Sequence, residues 1–233
     1  MKIVSFNICP FVQRVAALLE AKNLPYKIEF ISLKDKPQWF LDISPIGQVP
    51  VLITDSGQAL FESDAIVEYL EEAYPPLQPG LSPEEKATNR AWSYLATKNY
   101  LVQCSAQRSA DQTTLSERAA KLNPVFDRIE QKLGDTRFFD GDAIGLVDVS
   151  WLVLLHRAEI IRKHSGYDFI GDRPKLKAWQ SNLMQSGLAQ KSVPADFEDA
   201  FVEFYLSGET YLGRCKASGG CPSEKTEIAK ACC

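Results

Sequence analysis

At 233 residues the chain has room for one large domain or two small ones. Its hydrophobic share of 45% and charged share of 24% are those of a globular protein with a proper core. The net charge of −4 comes with no basic stretch, which argues against a nucleic-acid partner, and no apolar run approaches the ~20 residues that cross a bilayer.

The opening Met1-Lys2-Ile3-Val4-Ser5-Phe6 is too short for a secretory leader, so a cytoplasmic location with mostly reduced thiols is expected. "KIVSF" (2–6) reads as a first strand. From Phe11 the apolar residues Val12, Val15, Ala16 and Leu19 fall at helical spacing, with Pro10 suited to the first turn. Asn23-Leu24-Pro25 ends that helix, because the residue before a proline is pushed out of helical geometry. "YKIEFISL" (26–33) reads as a second strand, giving a parallel strand–helix–strand start. "VPVLIT" (49–54) and "QALFE" (58–62), separated by Asp55-Ser56-Gly57, predict a hairpin. A helix follows from Ser63-Asp64, with Ile66, Tyr69, Leu70 and Ala73 on its apolar face.

The proline-rich "YPPLQPGLSP" (74–83) is the best linker in the chain, and beyond it the pattern is helical. "GLVDVSWLVLLHRAEII" (145–161) is apolar on nearly every face and predicts a buried central helix. Gly145 can cap it, and Asp148 suits the positive end of its dipole as a structural cap. His156 and His164 stand apart from acids and thiols at ligand spacing, so no metal site is expected. The last stretch, "GRCKASGGCPSEKTEIAKACC", holds four of the six cysteines and has too little apolar surface to fold alone. It reads as a solvated tail. A metal site at Cys215 and Cys221, intermolecular disulfides, a mobile thiol donor and lipid attachment at Cys232-Cys233 are lesser alternatives. Cys104 reads most simply as core.

A strand–helix–strand unit, a hairpin and a helix, with Cys9 at the first helix N-terminus, make a thioredoxin-like arrangement. Unpaired N–H groups and the helix dipole favour a thiolate at such a place, so Cys9 reads as a reactive thiol ionised near neutral pH rather than a small buried hydrophobe. Val12 stands where a Cys-x-x-Cys motif has its second thiol, so the resolving thiol must come from elsewhere; glutathione is the abundant cytosolic one. Val49-Pro50 is placed for a cis bond, leaving the Val49 backbone groups to pair with a peptide-like ligand. The helix start at Glu62-Ser63 suits a carboxylate and an ammonium together, as at the γ-glutamyl end of glutathione, though Ser63 alone reads equally as an ordinary cap.

"CPFVQRV", "KPQWFLDISPIGQVPVL" and "FESDAIVEYLEE", in that order, resemble the glutathione transferase superfamily, and most closely its cysteine types, the omega class and the glutathione-dependent dehydroascorbate reductases. The likeness is dense over residues 3–76 and weaker beyond. It implies an α/β plus all-α fold: a thioredoxin-like glutathione-binding domain over residues 1–76, an all-helical bundle domain over 82–212 and a flexible tail over 213–233. It implies that Cys9 is the catalytic nucleophile forming a mixed disulfide with glutathione as co-substrate, and that no cofactor is tightly bound. Pro10 and Phe11 would frame the thiol, Val49 and cis-Pro50 would hold the cysteinyl backbone, and Glu62 and Ser63 the γ-glutamyl end. Lys36 falls near the place of the glycyl carboxylate, with a solvated surface lysine as the alternative. The second substrate would be a small oxidised or electrophilic molecule, and a homodimer is the usual assembly. Gly145 departs from the Ser or Thr usual at the central helix cap. Late aromatic residues such as Tyr94, Trp151 and Tyr205 are candidates for the second-substrate pocket or for the core. The expected activity is thiol transfer with dehydroascorbate reduction. The alternatives are conjugation of glutathione to electrophiles, with Ser5 as hydroxyl donor, and a non-catalytic binding module.

Overall fold

A computed structural model describes residues 1–221. Its first part is a four-stranded sheet in the order β2-β1-β3-β4. The central β1 (Lys2–Ser5) pairs in parallel with β2 (Lys27–Phe30) and antiparallel with β3 (Val51–Ile53), which in turn pairs antiparallel with β4 (Ala59–Phe61). Parallel strands need a crossover, and α1 (Pro10–Ala21) supplies it, burying the stripe Val12, Val15, Ala16 and Leu19. Alternation along β1 sends Ile3 to the main core with α1, and Val4 to the opposite face. There Val4 and Val51 are covered by Phe40 of α2 (Gln38–Ile43). The sequence pattern does not reveal α2, because six residues with one buried side chain are too few to display a helical period. The second strand is shorter than the apolar run 26–33, with its last cross-strand bond made just beyond it, from the Ile31 N–H to the Ser5 carbonyl at 2.9 Å. α3 (Ser63–Ala73) returns across the sheet and buries Ile66, Val67 and Leu70.

After the proline-rich connection, α4 (Pro83–Gln107) opens on a capping box: the Glu85 N–H donates to Ser82 Oγ at 3.2 Å, and the Ser82 N–H to the Glu85 carboxylate at 2.8 Å. α5 (Gln112–Ala119) and α6 (Asn123–Lys132) lead to α7 (Leu146–Ser165), which is buried on nearly all sides, as its apolar sequence demands. α7 lies between α4 and α1 and so joins the helical part to the sheet. α8 (Pro174–Gln185), α9 (Leu188–Lys191) and α10 (Phe197–Tyr205) pack against it in turn. None of the described helices is long and apolar enough to cross a membrane.

Asp148 is a structural cap, as its position predicts. Its carboxylate accepts hydrogen bonds from the Gly145 N–H (2.8 Å), the Phe139 N–H (3.0 Å) and Trp179 Nε1–H of α8 (2.7 Å). Gly145 returns no side-chain bond. The atoms nearest to where a Cβ would stand are those of the flexible Gln78 side-chain amide, which can move aside.

Residues 213–221, the described part of the expected flexible tail, are held in place. α11 (Tyr211–Ala217) buries Leu212 and Cys215, and a disulfide joins Cys215 to Cys221. The Cys221 N–H donates to the Ser165 carbonyl at 2.9 Å, which docks this clasp on the end of α7. The pairing within the chain replaces the metal site, intermolecular bridge or free thiol arm considered for Cys215 and Cys221. The sequence gives little sign of it, because the apolar surface that docks is only Leu212 and the cysteine itself. Cys232 and Cys233 lie outside the described residues.

Asp148→Ala leaves three buried donors without an acceptor and removes the tie between α7 and α8. It is expected to lower unfolding stability by about 3 kcal/mol, measured by urea denaturation; a loss below about 1 kcal/mol contradicts the cap assignment.

Candidate active site

Cys9 is the residue just before α1, with extended backbone (φ −70°, ψ 124°). Its N–H donates to the Phe6 carbonyl and its own carbonyl accepts from the Gln13 N–H, each at 3.1 Å. Pro10 follows as the first helical residue, where a missing N–H is no loss. The half-buried side chain opens into a cavity of about 560 Å³ between the two parts of the chain. Phe11 and Val49 wall it on the sheet side; Leu101, Cys104 and Arg108 of α4 or its end, with Tyr205 of α10, wall it on the helical side.

A second, smaller cavity of about 70 Å³ is lined by Phe11, Val49, Pro50, Glu62 and Ser63. Phe11 and Val49 border both cavities, so the thiol and the start of α3 belong to one continuous surface. The Val49–Pro50 bond is cis. Val49 lies outside the strand ladder, and its N–H and C=O make no bond with the backbone of the described residues. Glu62 precedes α3 in a left-handed conformation (φ 66°) that costs a non-glycine residue of order 1 kcal/mol. It makes no side-chain cap, and Ser63 is the first helical residue rather than the cap. The first-turn N–H groups of α3 therefore face the small cavity without a side-chain acceptor. Lys36 lines neither cavity; its Nζ lies beside Gly47, 3.5 Å from where a Cβ would stand.

The charge balance at Cys9 differs from expectation. Burial pushes the thiol up, and this outweighs the Val12 and Phe11 N–H groups, which favour the thiolate without closing a full cap bond, and the positive charge of Arg157. The net direction is upward, so burial opposes the thiolate that the helix position favours. A helix N-terminus stabilises an anion only in competition with the cost of removing that anion from water.

Several residues at the site escape sequence reasoning. Cys104 packs against the core, as expected, and also lines the large cavity, within hydrogen-bonding reach of the Tyr205 hydroxyl. Arg108 stands 5.3 Å over the Phe204 ring, and the Arg118 guanidinium donates to the Ser105 carbonyl at 2.9 Å. Arg157 of α7 donates from Nη2 to the Ile8 carbonyl at 3.0 Å, directly before Cys9. A charge within the mostly apolar run 145–161, shared there with Asp148 and Glu159, is a weak sequence signal for it. Arg14 of α1 pairs with Asp64 and donates from Nε to Ser150 Oγ of α7 at 3.0 Å. Of the candidate aromatics, Tyr205 lines the cavity, Trp151 is core, and Tyr94 bonds Glu68. Among the described residues no group of three or more His, Cys, Asp or Glu is arranged to hold a metal ion.

A thioredoxin-like sheet unit with a thiol at its first helix, closed against a helical unit across an intervening cavity, defines a two-part thiol-bearing enzyme scaffold. Residues 3–80 match the family model described as glutathione S-transferase, N-terminal domain, and residues 112–179 that of the glutathione S-transferase, C-terminal domain. Glutathione S-transferase omega-1 of Sus scrofa is 32% identical over 212 residues, covering 88% of this chain and 86% of that protein. Glutathione S-transferase DHAR2 of Arabidopsis thaliana is 39% identical over 157 residues, covering 67% and 70%. The crystal structure of glutathione transferase Omega 3C from Trametes versicolor superposes with a TM-score of 0.69 at 25% identity, over 82% of this chain and 87% of that one. The chain belongs to the glutathione S-transferase family and is an enzyme of it.

His156 of α7 holds the thiol-bearing helix in place: Gln13 of α1 and His156 Nδ1 are 2.8 Å apart. Burial lowers the imidazole pKa to about 4, and the neighbouring Arg157 charge pushes the same way. The folded value lies below the ordinary one of ~6.5, so its stability contribution is complete above that pH and is lost as pH falls toward 4. Asp148, raised to about 6 chiefly by burial, acts in the opposite sense: its contribution is present at low pH and is lost as pH rises through 6. His156→Gln is therefore expected to flatten the acid limb between those values by up to about 3 kcal/mol relative to wild type, in urea midpoints measured against pH. Superimposable limbs would show that this imidazole does not resist protonation.

Proposed function

We propose that the protein is a glutathione-dependent thiol transferase with dehydroascorbate reductase activity, working through a mixed disulfide on Cys9. The observation that carries this reading is the position of Cys9 at a helix N-terminus, on the border between a roomy cavity and a small cavity built for a peptide-like ligand. The Val49 backbone groups suit the cysteinyl part of glutathione, as an added strand would. The open N–H groups and Ser63 hydroxyl at the start of α3 suit its γ-glutamyl carboxylate, and Glu62 its ammonium. The relatives named omega-1 and DHAR2 favour the same reading.

In thiol transfer, the Cys9 thiolate attacks the glutathionyl sulfur of a mixed disulfide. The Cys9–glutathione disulfide forms, and the other thiol leaves as a thiolate that takes up a proton. A second glutathione thiolate then attacks that disulfide, giving oxidised glutathione and releasing Cys9 as thiolate. For dehydroascorbate, two glutathiones supply the two electrons and two protons. The Phe11 and Val12 N–H groups and the Arg157 charge favour the sulfur anion both as it attacks and as it departs. Arg108 and Arg118 line the large cavity with no carboxylate among its walls, which favours a neutral or anionic second substrate.

Conjugation would need a hydroxyl to activate bound glutathione. Ser5 does not suit that role, since it is buried and its Oγ donates to the Phe6 carbonyl at 3.1 Å.

After incubation with oxidised glutathione, intact-mass analysis is expected to show one added glutathione that peptide mapping places on Cys9. Cys9→Ser and Cys9→Ala are expected to reduce thiol transfer to the uncatalysed rate. Modification confined to Cys104 or the C-terminal cysteines, or full activity in the alanine variant, would refute the mechanism. Ser63→Ala is expected to raise the KM for glutathione about tenfold, the loss of one charge-assisted hydrogen bond, with mass labelling of Cys9 retained.

A further inference from the structure

Arg157 is the odd member of α7. It is 1% exposed in a helix buried along most of its length. Burying a guanidinium without a carboxylate partner is expensive, because its charge and five donors all leave water. Its one hydrogen bond runs from Nη2 to the Ile8 carbonyl at 3.0 Å, while Nε and Nη1 have no acceptor among the described residues. The guanidinium carbon lies 5.4 Å from the Phe197 ring centroid and 5.5 Å from that of Phe201, so α10 covers it with π-faces instead of neutralising it. A purely structural bolt between α7 and α10 would need neither the charge nor the reach to Ile8.

We propose that Arg157 is a positioning residue for the Cys9 thiolate, fixing the backbone carbonyl that precedes Cys9 and holding an unpaired positive charge beneath the sulfur. This rests on the reading of Cys9 as the nucleophile. The charge must remain uncompensated to act. The titratable groups that face the pair are consistent with that. Tyr100 and Cys104 on α4 and Tyr205 on α10 carry hydroxyls or a thiol, and His156 on α7 is held neutral by burial. Asp64, the carboxylate on the sheet side, is engaged by Arg14, and Glu198 lies beyond His156, bonded to Lys163 and His164. In the cavity that holds Cys9 the charged walls are Arg108 and Arg118, of the same sign, and the carboxylates of Glu203 and Glu209 line the adjoining cavity beyond Arg108 and Phe204. The direction of the Arg157 effect on the thiol, downward against the penalty of burial, agrees with the geometry.

The test is the pH dependence of Cys9 alkylation by iodoacetamide, a neutral probe, with Cys9 resolved from the other cysteines by peptide mass mapping. Arg157→Lys and Arg157→Gln are compared with wild type, and folding is checked by circular dichroism. The midpoint is expected to rise from wild type to the lysine variant and further to the glutamine variant, with alkylation at neutral pH roughly tenfold slower in the last. The kcat of thiol transfer is expected to fall with the KM for glutathione unchanged. A folded glutamine variant whose profile overlays wild type overturns the proposal. If that variant does not fold, the lysine variant decides: its ammonium cannot reproduce the planar fork at Ile8, so an unchanged midpoint overturns the proposal in the same way. Displaced profiles in an enzyme whose Cys9→Ala variant still transfers thiols would instead sink the role of Cys9 and leave the electrostatic link intact.

Discussion

The burial of α1 against α7 is the constraint on which the site depends. Val12, Val15, Ala16 and Leu19 reach the core only if the helix lies flat between the sheet and α7, and this fixes where its first residue emerges. Polar contacts then set the position more finely than apolar packing can. Arg14 reaches Ser150, Gln13 meets His156, and Arg157 reaches back to Ile8. Three bonds join the thiol-bearing helix and its entry loop to one helix of the other part of the chain. Shifting α7 would therefore move Cys9 relative to the cavity that it serves.

The same burial explains the ionisation of the thiol. A helix N-terminus presents N–H groups to Cys9, and in open solvent that arrangement would lower its pKa. Here the sulfur is partly enclosed by Phe11, Val49 and Tyr205, and desolvation prevails. The stabilising groups are pre-placed, yet in the free protein they only reduce a penalty.

Much of this was legible in the chain because it follows from local rules. The crossover helix, the hairpin and the buried central helix come from periodicity and turn residues, and the capping role of Asp148 from its spacing after Gly145. What stayed hidden depends on contacts between residues far apart. α2 contributes one buried side chain, Phe40, too little for a period. The disulfide between Cys215 and Cys221 depends on a short helix that docks on the end of α7. The burial of Cys9 is hidden in the same way, because position along a helix is local and desolvation is not.

The two cavities draw on different parts of the chain. The small one is lined by residues between 46 and 63 together with Phe11, among them Val49 and the start of α3. The large one takes much of its wall from α4, α5 and α10, where exposed Leu101 and Phe204 stand beside Arg108 and Arg118. Cys9 lines the large cavity beside Phe11 and Val49, which border both. The N–H groups next to its sulfur come from α1, while the guanidinium that holds the preceding Ile8 carbonyl comes from α7, so both parts of the chain shape its surroundings.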